Sequence, residues 1–179
     1  MIKINLVLIC CFAALFTKGV YAQRHTFDVG IRFQKTVDLY YENGLTAQYN
    51  LTQKWAVGAS YYTSRLGSAL GTNAITQDNF IGSATYYFRS EKLLRPFLRG
   101  NIGYFSADYE SELFENLANS SAIISADAGL MYRIIAPLKI SLSIGYNAIT
   151  GEGDKGAGTL YPVFYQTSLT WNLPKTFSK

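Results

Sequence analysis

The sequence predicts an all-β protein: eight antiparallel strands wound up and down into a closed transmembrane β-barrel, after a cleaved signal peptide. Three observations predict it. Apolar and polar residues alternate with period two in segment after segment, which puts them on opposite faces of a strand. The connections between segments alternate between short and long. Only 16% of the 179 residues are charged while 15% are aromatic, against about 25% charged in an ordinary soluble domain. No run of about 18 consecutive apolar residues occurs, so the sequence offers no helix long enough to span a bilayer.

The N-terminus reads as a targeting segment. Lys3 supplies a positive start, Leu6 to Phe16 is continuously apolar, and Val20-Tyr21-Ala22 has the small residues that signal peptidase requires. Residues 1–22 are therefore expected to be a signal peptide, residues 23–173 the barrel and residues 174–179 a short C-terminal tail. Both cysteines, Cys10 and Cys11, lie in the signal, so the mature chain must close by hydrogen bonding and packing without disulfides. The formal charge is +4. Lys3 and Lys18 leave with the signal, and the remaining excess is too small to argue for nucleic acid.

The hairpin Ile123 to Thr150 gives the clearest pattern. Ile124, Ala126, Ala128, Leu130 and Tyr132 share one face, opposite Ser125, Asp127, Gly129 and Arg133, with Met131 the one apolar intruder. After a turn at Ile135-Ala136-Pro137, Leu138, Ile140, Leu142, Ile144 and Tyr146 oppose Lys139, Ser141, Ser143, Gly145 and Asn147. Each arm is about ten residues, the length a tilted strand needs to cross hydrocarbon. The other strands are expected at His25–Gln34, Gly44–Leu51, Trp55–Ser64, Gln77–Phe88, Pro96–Phe105 and Leu160–Leu173. Their apolar sets begin with Phe27, Leu45, Trp55, Phe80, Leu98 and Tyr161. Pro162 lies near the start of the last strand, where a missing ladder donor is tolerable, and Pro174 ends it.

Alternation alone leaves open whether the apolar face lines a cavity or meets lipid. Connections after strands two, four and six are short and those after strands three, five and seven are long, as in an up-and-down barrel with short periplasmic turns. Aromatic residues gather at both ends: Phe27, Trp55, Phe88, Tyr132 and Trp171 near the short turns, Tyr104 and Tyr146 near the long loops. Two aromatic belts at membrane interfaces are the expected consequence, with the apolar face outward.

Two stretches carry a family resemblance: Gly44-Leu-Thr-Ala-Gln-Tyr-Asn-Leu-Thr-Gln-Lys-Trp-Ala-Val-Gly-Ala and Arg95-Pro-Phe-Leu-Arg-Gly-Asn-Ile-Gly-Tyr. With the barrel pattern of residues 23–173, the chain resembles the small outer-membrane barrels of the OmpA transmembrane-domain and OmpX/Ail type. The resemblance implies a Gram-negative outer-membrane address, contact with outer-membrane lipid and lipopolysaccharide, and handling by barrel-assembly machinery. It is specific for architecture; adhesins, anchors and narrow pores share it. Such chains usually end on an aromatic residue of the last strand. This one continues past Trp171 to Lys179, so an insertion signal is expected internally, around Tyr165 to Trp171.

Chemistry has two candidate places. Six charges are expected to face the lumen: Asp28, Arg32, Arg99, Asp127, Arg133 and Lys139. Arg99 and Asp127 lie at similar distances from the loop between strands five and six, so they could pair. Paired, such charges plug a narrow barrel; the other reading is a gated, low-conductance ion path. The second place is the stretch Ser106–Asn119, with Asp108, Tyr109, Glu110, Glu112, Phe114 and Glu115 and no basic residue. Its carboxylates and aromatics suit a surface protein partner or a divalent cation bridging lipopolysaccharide, or simply solvation. Leu66–Thr76 and Gly151–Gly158 read as small-residue loops. The lone histidine, His25, sits beside no serine, so an activated nucleophile is poorly supported. No cofactor or metal site is expected, and the expected role is non-enzymatic: envelope integrity or surface interaction through loops.

Overall fold

The computed structural model describes residues 26–36, 41–67, 73–88, 93–109, 119–150 and 163–173. The expected signal peptide, His25, the tail and most of the long connections lie outside them. Eight strands follow in order: β1 Thr26–Thr36, β2 Tyr41–Asn50, β3 Trp55–Gly67, β4 Asn73–Tyr87, β5 Leu94–Tyr109, β6 Ser120–Ile135, β7 Leu138–Thr150 and β8 Val163–Leu173. Each pairs antiparallel with its sequence neighbour, and β1 pairs with β8, closing the barrel.

The register fixes the shape. Following paired residues once around, Leu94 leads to Tyr132, Ile140, Leu169, Ile31, Leu45, Tyr61, Phe80 and then Tyr104. The path returns to β5 ten residues above its start. Closing eight strands with that stagger tilts them by roughly 40° and leaves an interior only wide enough for side chains.

The polarity is inverted relative to a soluble protein. Outward side chains are large and apolar, among them Leu45, Ile102 and Phe80, each more than 60% exposed. Inward positions hold buried Asp28, Arg32, Glu42, Arg99, Asp127 and Gln166. The inside is also not uniformly polar. Ala56, Tyr87, Phe97 and Met131 form one buried apolar cluster, and Phe105, Ala107 and Ile123 form a second, with Ile81 against it. Met131, the intruder on the polar face of β6, belongs to the first cluster.

Several strand ends differ from expectation. β2 begins at Tyr41 rather than Gly44, so Glu42 is a strand residue, and Leu51 falls in the turn. β3 and β4 take in Leu66–Gly67 and Asn73–Thr76, and β5 runs to Tyr109. At the long-loop end the hydrogen-bond ladder outlasts the apolar pattern that marks the strands in the sequence. The start expected for β8 at Leu160 lies outside the described residues. In the β2–β3 turn, Thr52 Oγ1 accepts from the backbone N–H of Lys54 (3.1 Å) and Trp55 (2.9 Å), a side-chain-made turn.

Candidate functional site

The inner face of β5 gives the order of the layers that fill the lumen: Arg95, Phe97, Arg99, Asn101, Gly103, Phe105, Ala107, from the short-turn end upward. At the lower mouth Asp28 gathers donors from three other strands. Lys139 Nζ lies 2.7 and 2.9 Å from its two oxygens, Asn50 Nδ2 donates at 2.9 Å, and Asn172 Nδ2 donates as well. Arg95 donates to the Gln53 carbonyl in the β2–β3 turn and lays its guanidinium over the Tyr87 ring at 4.3 Å.

Above this lies the apolar septum. Tyr87 and Phe97 meet edge to face, ring centroids 6.0 Å apart, and the Arg99 guanidinium sits 4.8 Å above the Phe97 ring. The order Arg95, Tyr87, Phe97, Arg99 is a cation–π stack threaded across the lumen. Gln48 Nε2 donates to the Tyr87 hydroxyl at 2.9 Å and holds the ring in place.

The middle layer is ionic. The ladder sets Arg99 opposite Asp127, with Arg99 Nη1 3.7 Å from Asp127 Oδ1 and both side chains buried. Arg99 also donates to Thr85 Oγ1 (3.1 Å) and Gln166 Oε1 (2.8 Å), while Asn101 Nδ2 donates to Asp127 Oδ2 (3.1 Å). Arg32 donates to the Tyr62 hydroxyl at 2.7 Å. From Arg99 a one-way chain of amides climbs the barrel: Gln166 Nε2 donates to Gln34 Oε1 (3.1 Å), and Gln34 Nε2 to Glu42 Oε2 (2.6 Å). Asn79 Nδ2 donates to the other Glu42 oxygen, at 2.6 Å. Every dipole in this chain points from guanidinium to carboxylate, an arrangement in which hydrogen bonds strengthen one another.

Of the six expected lumen charges, Asp28, Arg32, Arg99, Asp127 and Lys139 face inward and enter these layers. Arg133 shares their inward parity, paired in the ladder with Lys139, but enters no layer: it is exposed at the short-turn rim, beside a register shift between Arg133 and Ile135. There the ladder breaks before another inward position is reached. The sequence reading passed over Arg95, Glu42, Gln34, Tyr62, Tyr87, Phe97 and Gln166. Counting period two outward from the expected strand centres would have found them. Their polarity, or their place beyond the apolar run, made some of them look like loop.

On the outer wall, Phe27, Trp55, Phe88, Tyr104, Tyr132, Tyr146 and Trp171 are all exposed, between 41% and 58%. Tyr61 and Phe80 stack at 5.0 Å near the long-loop end, and Trp55 and Tyr86 at 5.0 Å near the short turns. Asp108 and Tyr109, expected in a loop, are strand residues of β5, and Asp108 is exposed opposite Thr76. Glu110, Glu112, Phe114 and Glu115 lie outside the described residues. Among the described residues, no group of three or more His, Cys, Asp or Glu side chains could hold a metal ion.

No protein-family model and no curated relative matches the chain. Solved structures do. The N-terminal β-barrel domain of Pseudomonas aeruginosa OprF is similar at a TM-score of 0.64 and 13% identity, over 84% of this chain and 98% of that one. Outer membrane protein H (OprH) of P. aeruginosa is similar at 0.58 and 13%, over 83% and 99%. A de novo designed transmembrane β-barrel is similar at 0.55 and 12%, over 85% and 98%. The fold is that of the small eight-stranded outer-membrane barrels. That a designed barrel shares it shows how little the fold says about activity.

Proposed function

We propose that the chain is an integral outer-membrane protein of a Gram-negative bacterium, inserted with its short turns toward the periplasm. Its role on this reading is non-enzymatic: envelope integrity or surface interaction through the long-loop end. One observation carries it. The outer wall is apolar between two aromatic rings, while the lumen is filled by side chains, with the Tyr87–Phe97–Met131 septum between two ionic layers. A filled lumen leaves the outer wall and the loop end as the working surfaces. The partners proposed with it are outer-membrane lipid and lipopolysaccharide, the barrel-assembly machinery and a surface protein.

A narrow pore is the second reading, and one feature favours it. The inner face of β7, with Ser141, Ser143, Gly145 and Asn147, is half-exposed where the other inner faces are mostly buried. Planar-bilayer recording separates the two. On the proposed reading the native barrel is silent, and a Tyr87→Ala/Phe97→Ala barrel gives discrete steps. Steps from the native barrel that change with Arg99→Ala would replace the closed reading with the pore.

A further inference from the structure

The amides of the upper lumen are ordered by what stands at the two ends of their chain. A guanidinium can only donate and a carboxylate can only accept. Between Arg99 and Glu42, the carboxamides of Gln166 and Gln34 therefore have one workable orientation, each oxygen toward Arg99 and each NH2 toward Glu42. Glu42 is the end that can change. It is the second residue of β2, at the long-loop end, and only 4% exposed. One of its oxygens receives the Gln34 amide and the other the Asn79 amide. Around it β1 presents Gln34 and, a layer lower, Arg32; β3 presents Tyr62 and Ser64; β4 presents Asn79 and Gln77. Arg32 and Tyr62 are the titratable groups among these, and they bond each other.

We propose that Glu42 is a proton-binding site, and that a proton taken there turns the amide chain around as far as Arg99. A protonated Glu42 carries an O–H where the carboxylate had an acceptor, so it meets an amide NH2 with a hydrogen of its own. The conflict ends when that amide turns its oxygen to Glu42. Turning Gln34 presents its NH2 to the NH2 of Gln166, and turning Gln166 presents its NH2 to Arg99. Arg99 cannot accept, so it leaves Gln166. A place is ready for it: Asp127 Oδ1 is buried, accepts no hydrogen bond and lies 3.7 Å from Arg99 Nη1. An unpaired buried acceptor is costly, so the bond formed there offsets the one given up. The other route from Glu42 runs through Asn79 to Gln77 and reaches no such oxygen. Among the described residues, the unpartnered buried side-chain oxygens are those of Asp127, Asn101 and the outward Thr63. The inference goes beyond the proposed role and needs only the closed lumen; on the proposed insertion the proton arrives from the cell exterior.

The test is NMR of the full mature chain in phosphatidylcholine nanodiscs, titrated from about pH 9 to about pH 4, a range that spans ordinary and raised carboxyl titrations. The side-chain amide signals of Gln34 and Gln166 and the Arg99 Nε signal should shift together, at the midpoint of the Glu42 carboxyl carbon. Glu42→Gln should remove all three shifts. Gln34→Leu should cut the chain: Glu42 still titrates, whereas Gln166 and Arg99 no longer follow it. A Glu42 carboxyl that does not titrate in this range would overturn the proposal. So would Gln166 and Arg99 signals that ignore it, shifts that survive Gln34→Leu, or a response confined to Asn79 and Gln77. Heat-dependent mobility in SDS shows whether each variant is folded. Where one is not, the native titration still decides, since Gln166 and Arg99 either follow Glu42 or do not.

Discussion

Asp28 stands where β1, β2, β7 and β8 meet, and its carboxylate ties the β1–β8 seam of the barrel to both neighbouring strands. Removing it takes away the carboxylate that Lys139 pairs with at the mouth. A fully buried pair broken in this way costs about 3–5 kcal/mol; Lys139 keeps some solvent access (14% of its side chain), so Asp28→Ala should cost about 2 kcal/mol. The Asp28→Ala/Lys139→Ala barrel should be no less stable than Asp28→Ala alone, since it removes the stranded charge. Urea unfolding midpoints in lipid vesicles measure both. The pairing of Arg99 with Asp127 was legible, because both stand equally far from one connection. Asp28 with Lys139 was not: their proximity needs barrel closure and stagger, which no local pattern specifies. Glu42 was missed for another reason. A polar residue facing a lumen and a polar residue in a loop look alike in one dimension.

At the scale of strands, three inward rings lie opposite glycines: Phe97 faces Gly129, Phe164 faces Gly145 and Tyr62 faces Gly44. A Cβ on Gly129 would stand 2.8 Å from Phe97 Cζ and 2.6 Å from Ser143 Cβ; one on Gly145 would collide with the Phe164 ring and come within 2.7 Å of Asp127 Cβ. The glycines let rings fold flat against the wall, and the septum depends on that. Gly129→Ala should therefore destabilise the barrel by about 1–3 kcal/mol, the usual range for overpacking. Gly100→Ala, at an outward site with nothing within 4 Å of an added Cβ, should be close to neutral. The same vesicle titration distinguishes them. Strand identity was legible throughout from period two, but strand length was not. β5 and β6 each run 16 residues, beyond the apolar band, because ladder hydrogen bonds continue where the outward residues turn polar, as at Ser106 and Asp108.

Over the whole molecule, closure by β1 and β8 leaves no sheet edge, and ladder bonds hold the wall without disulfides. The folded barrel should therefore run as a compact band in unboiled SDS and shift on boiling; a single unshifted band would count against closure. The barrel topology followed from strand count and the rhythm of connections, whereas the septum did not. Its members come from β3, β4, β5 and β6, and only the stagger brings them to one height. The aromatic rings have a further consequence. The chain has two tryptophans, Trp55 and Trp171, and both stand outward at the short-turn end, 45% and 49% exposed. Indole emission from this molecule thus reports on a single leaflet. If the long-loop end leads the way through the bilayer, neither indole travels across. A quencher confined to the entry leaflet should darken both from first adsorption onward, while one confined to the far leaflet should leave them bright even when the barrel is complete.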